Sequence, residues 1–228
     1  MPNNSEINRH ILQECIKRNA AGSIRRRKAY APEIDFVFAV SGAAALGKTT
    51  FCKNLTGFLN DNGVITEHIP LDGFMLNRKS RQNRKLSGYN PQSTDLPLLI
   101  NTMKELIFSG REVKLPLYDH KTGEHGGFRP ITPCRVIILD GIMSLHYEIR
   151  EIFTNFNIFF HSDDLVMRGL RLLVDLKERG YSVFEALSHS DKEFVSYNKW
   201  IYHQISFANL LISVGRDRML SFSPLITS

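Results

Sequence analysis

The chain has 228 residues, 43% of them apolar and 23% charged, which puts it in the range of soluble globular proteins and allows one sizeable core. Its formal charge of +6, from 29 Lys and Arg against 23 Asp and Glu, favours anionic ligands. The three scattered cysteines, Cys15, Cys52 and Cys134, show neither a disulfide framework nor zinc-ligand spacing, and the longest apolar runs are far too short to span a bilayer.

The N-terminal segment carries Glu6, Arg9, Glu14 and Lys17 instead of a continuous apolar stretch, which argues against a signal or transit peptide. We therefore expect a single domain over residues 1–228 in a reducing cytoplasm, with no membrane contact. Residues 6–21 have helical spacing and lead into the basic run Arg25, Arg26, Arg27 and Lys28. This helix and connector occupy residues 1–34, and the run reads either as a solvated linker or as a patch that steers a polyanion.

Beyond residue 34, short β-branched or aromatic runs alternate with helical segments. That pattern gives an α/β fold, a parallel sheet covered by helices on both faces. Five strands are expected, at Phe36–Val40, Val64–Ile69, Val136–Asp140, Ile158–Phe160 and Leu210–Val214. Long Gly-, Pro- and charge-rich loops are expected at Leu76–Ser93 and Leu115–Pro133, and loops of that length tend to be functional.

The first strand runs into Ser41-Gly-Ala-Ala-Ala-Leu-Gly-Lys-Thr-Thr50, with Gly42, Gly47, Lys48 and Thr49 at G-x-x-x-x-G-K-T spacing. Glycine lets the backbone bend so that successive N–H groups face phosphate oxygens, and the helix that follows adds the positive end of its dipole. Gly42, Ala43, Ala44, Ala45, Leu46, Gly47, Lys48, Thr49 and Thr50 are thus the expected nucleotide cradle. Lys48 should reach the β- and γ-phosphates and the Thr49 hydroxyl should hold Mg²⁺. Cys52, one turn into the helix, reads as a packed small residue.

The second strand ends in Ile69-Pro-Leu-Asp-Gly-Phe-Met75. A carboxylate at the carboxyl end of a parallel strand faces the ligand crevice, so Asp72 is a candidate base for an attacking hydroxyl; an ordinary Asp-Gly turn is the alternative. The third strand ends in Asp140 at the corresponding height, where a P-loop protein keeps the acid that holds Mg²⁺. Arg168, Arg171, Asp175 and Glu178 recur at helical spacing in residues 165–179, as a solvated face or as a lid over the transferring phosphate.

Together, Ser41–Thr50, Leu71-Asp-Gly-Phe74, Pro116-Leu-Tyr-Asp119, Ile138-Leu-Asp-Gly-Ile142 and Asp175-Leu-Lys-Glu-Arg-Gly180 resemble the uridine kinase, phosphoribulokinase and bacterial-type pantothenate kinase superfamily, over residues 35–215. The resemblance implies a P-loop NTPase-type three-layer αβα sandwich around a central five-stranded, mainly parallel sheet. It also implies ATP, Mg²⁺ and transfer of the γ-phosphoryl group to the hydroxyl of a small molecule. By the same resemblance Asp72 is the catalytic base, Asp140 the acid after the third strand, and Arg171 with Arg179 part of the lid. Two positions depart from uridine kinases: Asp140 stands where Glu is usual, and Val174 where an Arg precedes the lid Asp, leaving Arg168 as a stand-in.

Phe74, Arg81, Arg84, Tyr118 and His120 are the candidate acceptor contacts. Arg78, Lys79, Arg81, Arg84 and Lys85 cluster after Asp72 and favour an anionic acceptor such as a sugar phosphate or a carboxylate. Nucleoside, pentose phosphate and pantothenate all stay open, as does a homo-oligomer. The other class of reading is a P-loop hydrolase or switch, but Asn198-Lys199-Trp200-Ile201 lacks the acid of a guanine-binding Asn-Lys-x-Asp. No aromatic-basic or helix-turn-helix pattern supports nucleic acid as a partner. Arg216 and Arg218, near the expected base site, are suggestive only.

Overall fold

The computed structural model describes residues 4–20, 30–177 and 180–224. Helix α1 (Asn4–Ala20) precedes strand β1 (Phe36–Gly42), α2 (Lys48–Asp61) and β2 (Thr66–Pro70). After a 3₁₀ turn at Leu71–Phe74 come α3 (Arg78–Asn83), α4 (Leu96–Ile107), β3 (Val113–Asp119), β4 (Glu124–Ile131) and β5 (Val136–Asp140). The chain closes with α5 (Tyr147–Phe153), β6 (Phe156–His161), α6 (Asp164–Lys177), α7 (Val183–Trp200), β7 (Leu210–Val214) and β8 (Leu220–Pro224). The basic run Arg25–Lys28, Glu178 and Arg179 lie outside the described residues.

The main sheet has the order β2-β5-β1-β6-β7-β8. Its first five strands are parallel, and β8 returns antiparallel on the β7 edge. All seven residues of β1 and all five of β5 are buried. Burial of alternate side chains on both sides requires helices over both faces, as the continuous apolar runs predict. The core is rich in aromatic rings: Phe36, Phe38 and Phe156 pack edge to face or tilted across β1 and β6, and Phe51 of α2 meets Phe160. No helix among the described residues is long and apolar enough to cross a membrane.

Three expectations are corrected. The main sheet has six strands, not five, because Leu220-Ser-Phe-Ser223 pairs with β7; four alternating residues at a sheet edge carry too little periodic signal to read as a strand. The expected loop at Leu115–Pro133 is largely the antiparallel hairpin β3–β4, which forms its own two-stranded sheet. Pro116, with no N–H to donate, sits where the register shifts before Tyr118, and a proline inside a run masks a strand. The Leu76–Ser93 segment likewise carries α3 and a 3₁₀ turn. Arg129 docks the hairpin onto β2, donating to the His68 carbonyl at 2.6 Å and pairing with Glu67 at 3.1 Å.

Candidate active site

Parallel strands end together, so β1, β2 and β5 deliver their carboxyl-end residues to one crevice. Val40 and Pro70 both flank Asp140 in register. Gly42 closes β1 with φ 130°, and a Cβ there would lie 2.1 Å from the Phe160 carbonyl oxygen. The neighbouring strand β6 therefore imposes glycine at the mouth of the loop. Ala45 and Gly47 have positive φ, 69° and 84°. For Ala45 that costs roughly 1–2 kcal/mol. Gly47 is the N-cap of α2 and provides no side-chain cap, which leaves the first helical N–H groups to an anion.

Lys48 is 8% exposed and folds back so that its ammonium donates to the Ala43 carbonyl at 2.7 Å. Burial pushes its pKa down, while the carboxylates of Asp140 and Asp72 oppose the shift. Thr49 donates its hydroxyl to Asp140 Oδ2 at 2.7 Å, and His68 Nε2 lies 3.0 Å from the same oxygen. The loop, the lysine, Thr49 and Asp140 thus come together as the sequence predicts. His68 was not anticipated. Nothing marks it in the sequence except its position on β2 beside β5.

The acceptor side is built on the turn after β2. Asp72 stands there with its side chain 36% exposed, and His120 Nε2 is 3.0 Å from its Oδ2. A Cβ on Gly73 would lie 1.9 Å from the Pro116 carbonyl oxygen, so the turn and β3 touch backbone to backbone, and that contact carries His120 to Asp72. His125 Nε2 lies 3.0 Å from the Gly73 carbonyl. Tyr118 accepts from Arg81 Nη2 at 2.7 Å, with its ring edge to face against His120 and His125. Arg81 also donates to the Leu76 carbonyl, and Arg78 to the carbonyls of His120 and Lys121.

Asp72, Arg81, Tyr118 and His120 therefore share one wall, which Arg78 of the basic cluster joins and to which the structure adds His125. Phe74 and Arg84 do not join them. Phe74 is 2% exposed and belongs to the core. Arg84 is exposed at the C-cap of α3.

The Arg171 expectation changes character. Its Nε donates to both carboxylate oxygens of Asp175, at 3.0 and 2.9 Å, and its Nη2 lies 3.8 Å from Glu193 of α7. Asp175 is 1% exposed. Burial opposes the guanidinium charge, but Tyr89, Glu193 and Asp175 outweigh it and raise the pKa. Arg171 and Glu193 line a small pocket with Ala43, Ala44, Tyr89 and Tyr197, where the Tyr89 hydroxyl accepts from the Ala44 N–H at 3.0 Å. Arg171 thus joins α6 and α7 beside the phosphate loop. Arg168 lines the same pocket from its more exposed side, pairing with Asp191 and lying 4.2 Å over the Phe194 ring.

This difference is measurable by urea unfolding. Arg171→Ala removes the guanidinium that bonds both oxygens of the buried Asp175 carboxylate and should cost about 3–5 kcal/mol. Arg168→Ala, whose partner is mostly exposed, should cost no more than about 1 kcal/mol. Equal effects would contradict the assignment.

Comparison with known proteins identifies the family and the fold. Residues 37–221 match the description "Phosphoribulokinase / Uridine kinase family". Uridine kinase-like protein 4 of Arabidopsis thaliana is 31% identical over 196 residues, covering 84% of this chain and 41% of that protein. Phosphoribulokinase of Synechocystis sp. is 25% identical, covering 79% of this chain and 54% of that protein. Among solved structures, D-glycerate 3-kinase from Cryptococcus neoformans superposes with a TM-score of 0.69 at 15% identity, over 96% of this chain and 99% of that one. The chain spans about two fifths of the length of the first curated relatives it matches.

Proposed function

We propose that this chain, which belongs to the phosphoribulokinase / uridine kinase family, transfers the γ-phosphoryl group of ATP to a hydroxyl of a small metabolite. The observation that carries this reading is the common end of three strands. Val40 of β1 and Pro70 of β2 both stand in register with Asp140 of β5, so the phosphate loop that follows β1 and the Asp72 turn that follows β2 open into the same crevice, where a nucleotide and an acceptor hydroxyl would meet. A hydrolase has no use for the second wall of Asp72, Tyr118, His120 and Arg81.

In this reading the inward-facing amides of residues 43–49 and the N-terminus of α2 bind the phosphates. Lys48 leaves the Ala43 carbonyl for the β- and γ-phosphates. The Thr49 hydroxyl and the Asp140 carboxylate, 2.7 Å apart, form an all-oxygen pair that fits Mg²⁺. When bound there, Mg²⁺ would neutralise charge on the β- and γ-phosphates. Asp72 accepts the proton of the attacking hydroxyl at a carboxylate oxygen, and His120 holds the carboxylate in orientation.

We assign the acceptor to the wall of Asp72, Tyr118, His120, His125 and Arg81, and its class to hydroxyl compounds that also carry a phosphate or carboxylate. The hydrogen bonds of Arg78 and Arg81 go to neutral oxygens, so both guanidinium charges remain available to an anion. An ATP-consumption screen across nucleosides, pantothenate, glycerate and pentose phosphates tests this. Stimulation by an anionic acceptor is the expected result. Stimulation by neutral nucleosides alone would overturn the acceptor class, and ATP consumption that no acceptor raises would favour the hydrolase.

A further inference from the structure

Beside the phosphate loop, three elements bring together three metal-ligating side chains of different chemistry. Cys52 lies on α2, one turn beyond Lys48, His68 on β2, and Asp140 at the end of β5. The thiol sulfur, the ring nitrogen and the carboxylate oxygen all lie within 4.8 Å of one another. Cys52 is fully buried, Asp140 is 3% exposed and the His68 side chain is 10% exposed. One edge of the triad, His68 Nε2 to Asp140 Oδ2, is already closed at 3.0 Å. The Thr49 hydroxyl adds a fourth polar atom, 2.7 Å from the same carboxylate oxygen.

We propose that Cys52, His68 and Asp140 form a site for a thiolate-seeking divalent cation of the zinc class, different in ligand chemistry from the Mg²⁺ position but sharing Asp140 with it. Mg²⁺ demands oxygen ligands in octahedral array, and a thiol and an imidazole contribute nothing to that. A tetrahedral cation instead takes sulfur, nitrogen and oxygen at about 2.0–2.3 Å. Those bond lengths put the three ligand atoms roughly 3.3–3.5 Å apart, so separations of at most 4.8 Å need to close by no more than about 1.5 Å. The Thr49 hydroxyl beside Asp140, or water, would be left for the fourth position.

The thiol is neutral without a cation, because burial, with the Asp140 charge added, raises its pKa well above the ordinary value. On binding, a divalent ion displaces the thiol proton to solvent and the sulfur becomes its thiolate ligand. No spacing in the sequence announces the site, since each ligand comes from a different element. The binding claim stands on this geometry whether or not the kinase reading holds. Its consequence rests on that reading: a cation here removes Asp140 from Thr49 and Mg²⁺ and so arrests transfer.

Titration of the reduced full-length protein with Cd²⁺, followed by thiolate-to-cadmium charge-transfer absorption in the ultraviolet, tests binding without any substrate. One equivalent should produce the band. Cys52→Ser should abolish it and Cys134→Ser should leave it intact. Losing an outer-shell partner alone costs about 10–100-fold in metal affinity, so His68→Asn should weaken binding at least about 10-fold. No band in the unaltered protein, or a band that survives Cys52→Ser, overturns the site. If Cys52→Ser fails to fold, His68→Asn decides, and unchanged Cd²⁺ affinity overturns the proposal.

Discussion

Asp72→Asn should lower turnover by about 10²–10⁴-fold, the usual contribution of a positioned general base, while ATP affinity stays essentially unchanged. That loss corresponds to roughly 2.7–5.4 kcal/mol of transition-state stabilisation. The amide keeps the shape of the carboxylate and can still bond to His120, but it cannot take the hydroxyl proton. Asp72 is also partly exposed on a surface turn, so folding stability should change by less than about 0.5 kcal/mol. The check is single-turnover transfer alongside nucleotide binding on the same preparation. Retention of transfer would remove Asp72 from the chemistry, and loss of ATP binding would make its role structural.

Lys48→Ala should lower turnover at saturating ATP by at least about 10²–10³-fold, the loss typical of removing one preorganised donor from a developing negative charge. ATP affinity should fall as well, which separates it from Asp72→Asn. In the folded chain the ammonium bonds to the Ala43 carbonyl, and Asp140 keeps Thr49 and His68 as partners. The loop should therefore survive the change. Lys48→Arg should not rescue turnover, because a planar fork cannot follow the path of a compact ammonium through a buried loop. Measured kcat and KM for ATP decide this, and unchanged turnover would contradict the role of the loop.

The donor half of the site was legible in the sequence because its chemistry dictates residue types at fixed local spacing. Gly42, Gly47, Lys48 and Thr49 lie within eight residues, Asp140 ends a recognisable strand and Asp72 follows another by two residues. What was not legible depends on contacts between distant segments. Tyr89 reaches Ala44 across 45 residues, and His120 reaches Asp72 only because Pro116 packs on Gly73.

Helical spacing put Arg168 and Arg171 together on one stripe, and Asp175 sits one turn from Arg171. Which arginine would be buried depended on α7, whose Glu193 and Asp191 separate the two. Phe74 shows the same limit in reverse, because its place in the motif suggested a ligand contact while the fold uses it as core. The β3–β4 hairpin escaped detection because Pro116 and the Gly126-Gly127 pair break the alternation that would have marked two strands.

The claim that Lys48 and Asp72 serve one transfer reaction is tested most directly by phosphorus NMR of ATP turnover with the acceptor that stimulates it. The account predicts that the γ-phosphorus reappears as a phosphomonoester of the acceptor, and that this signal vanishes with Asp72→Asn. Release of the γ-phosphorus solely as inorganic phosphate, at a rate unaffected by Asp72→Asn, would contradict it.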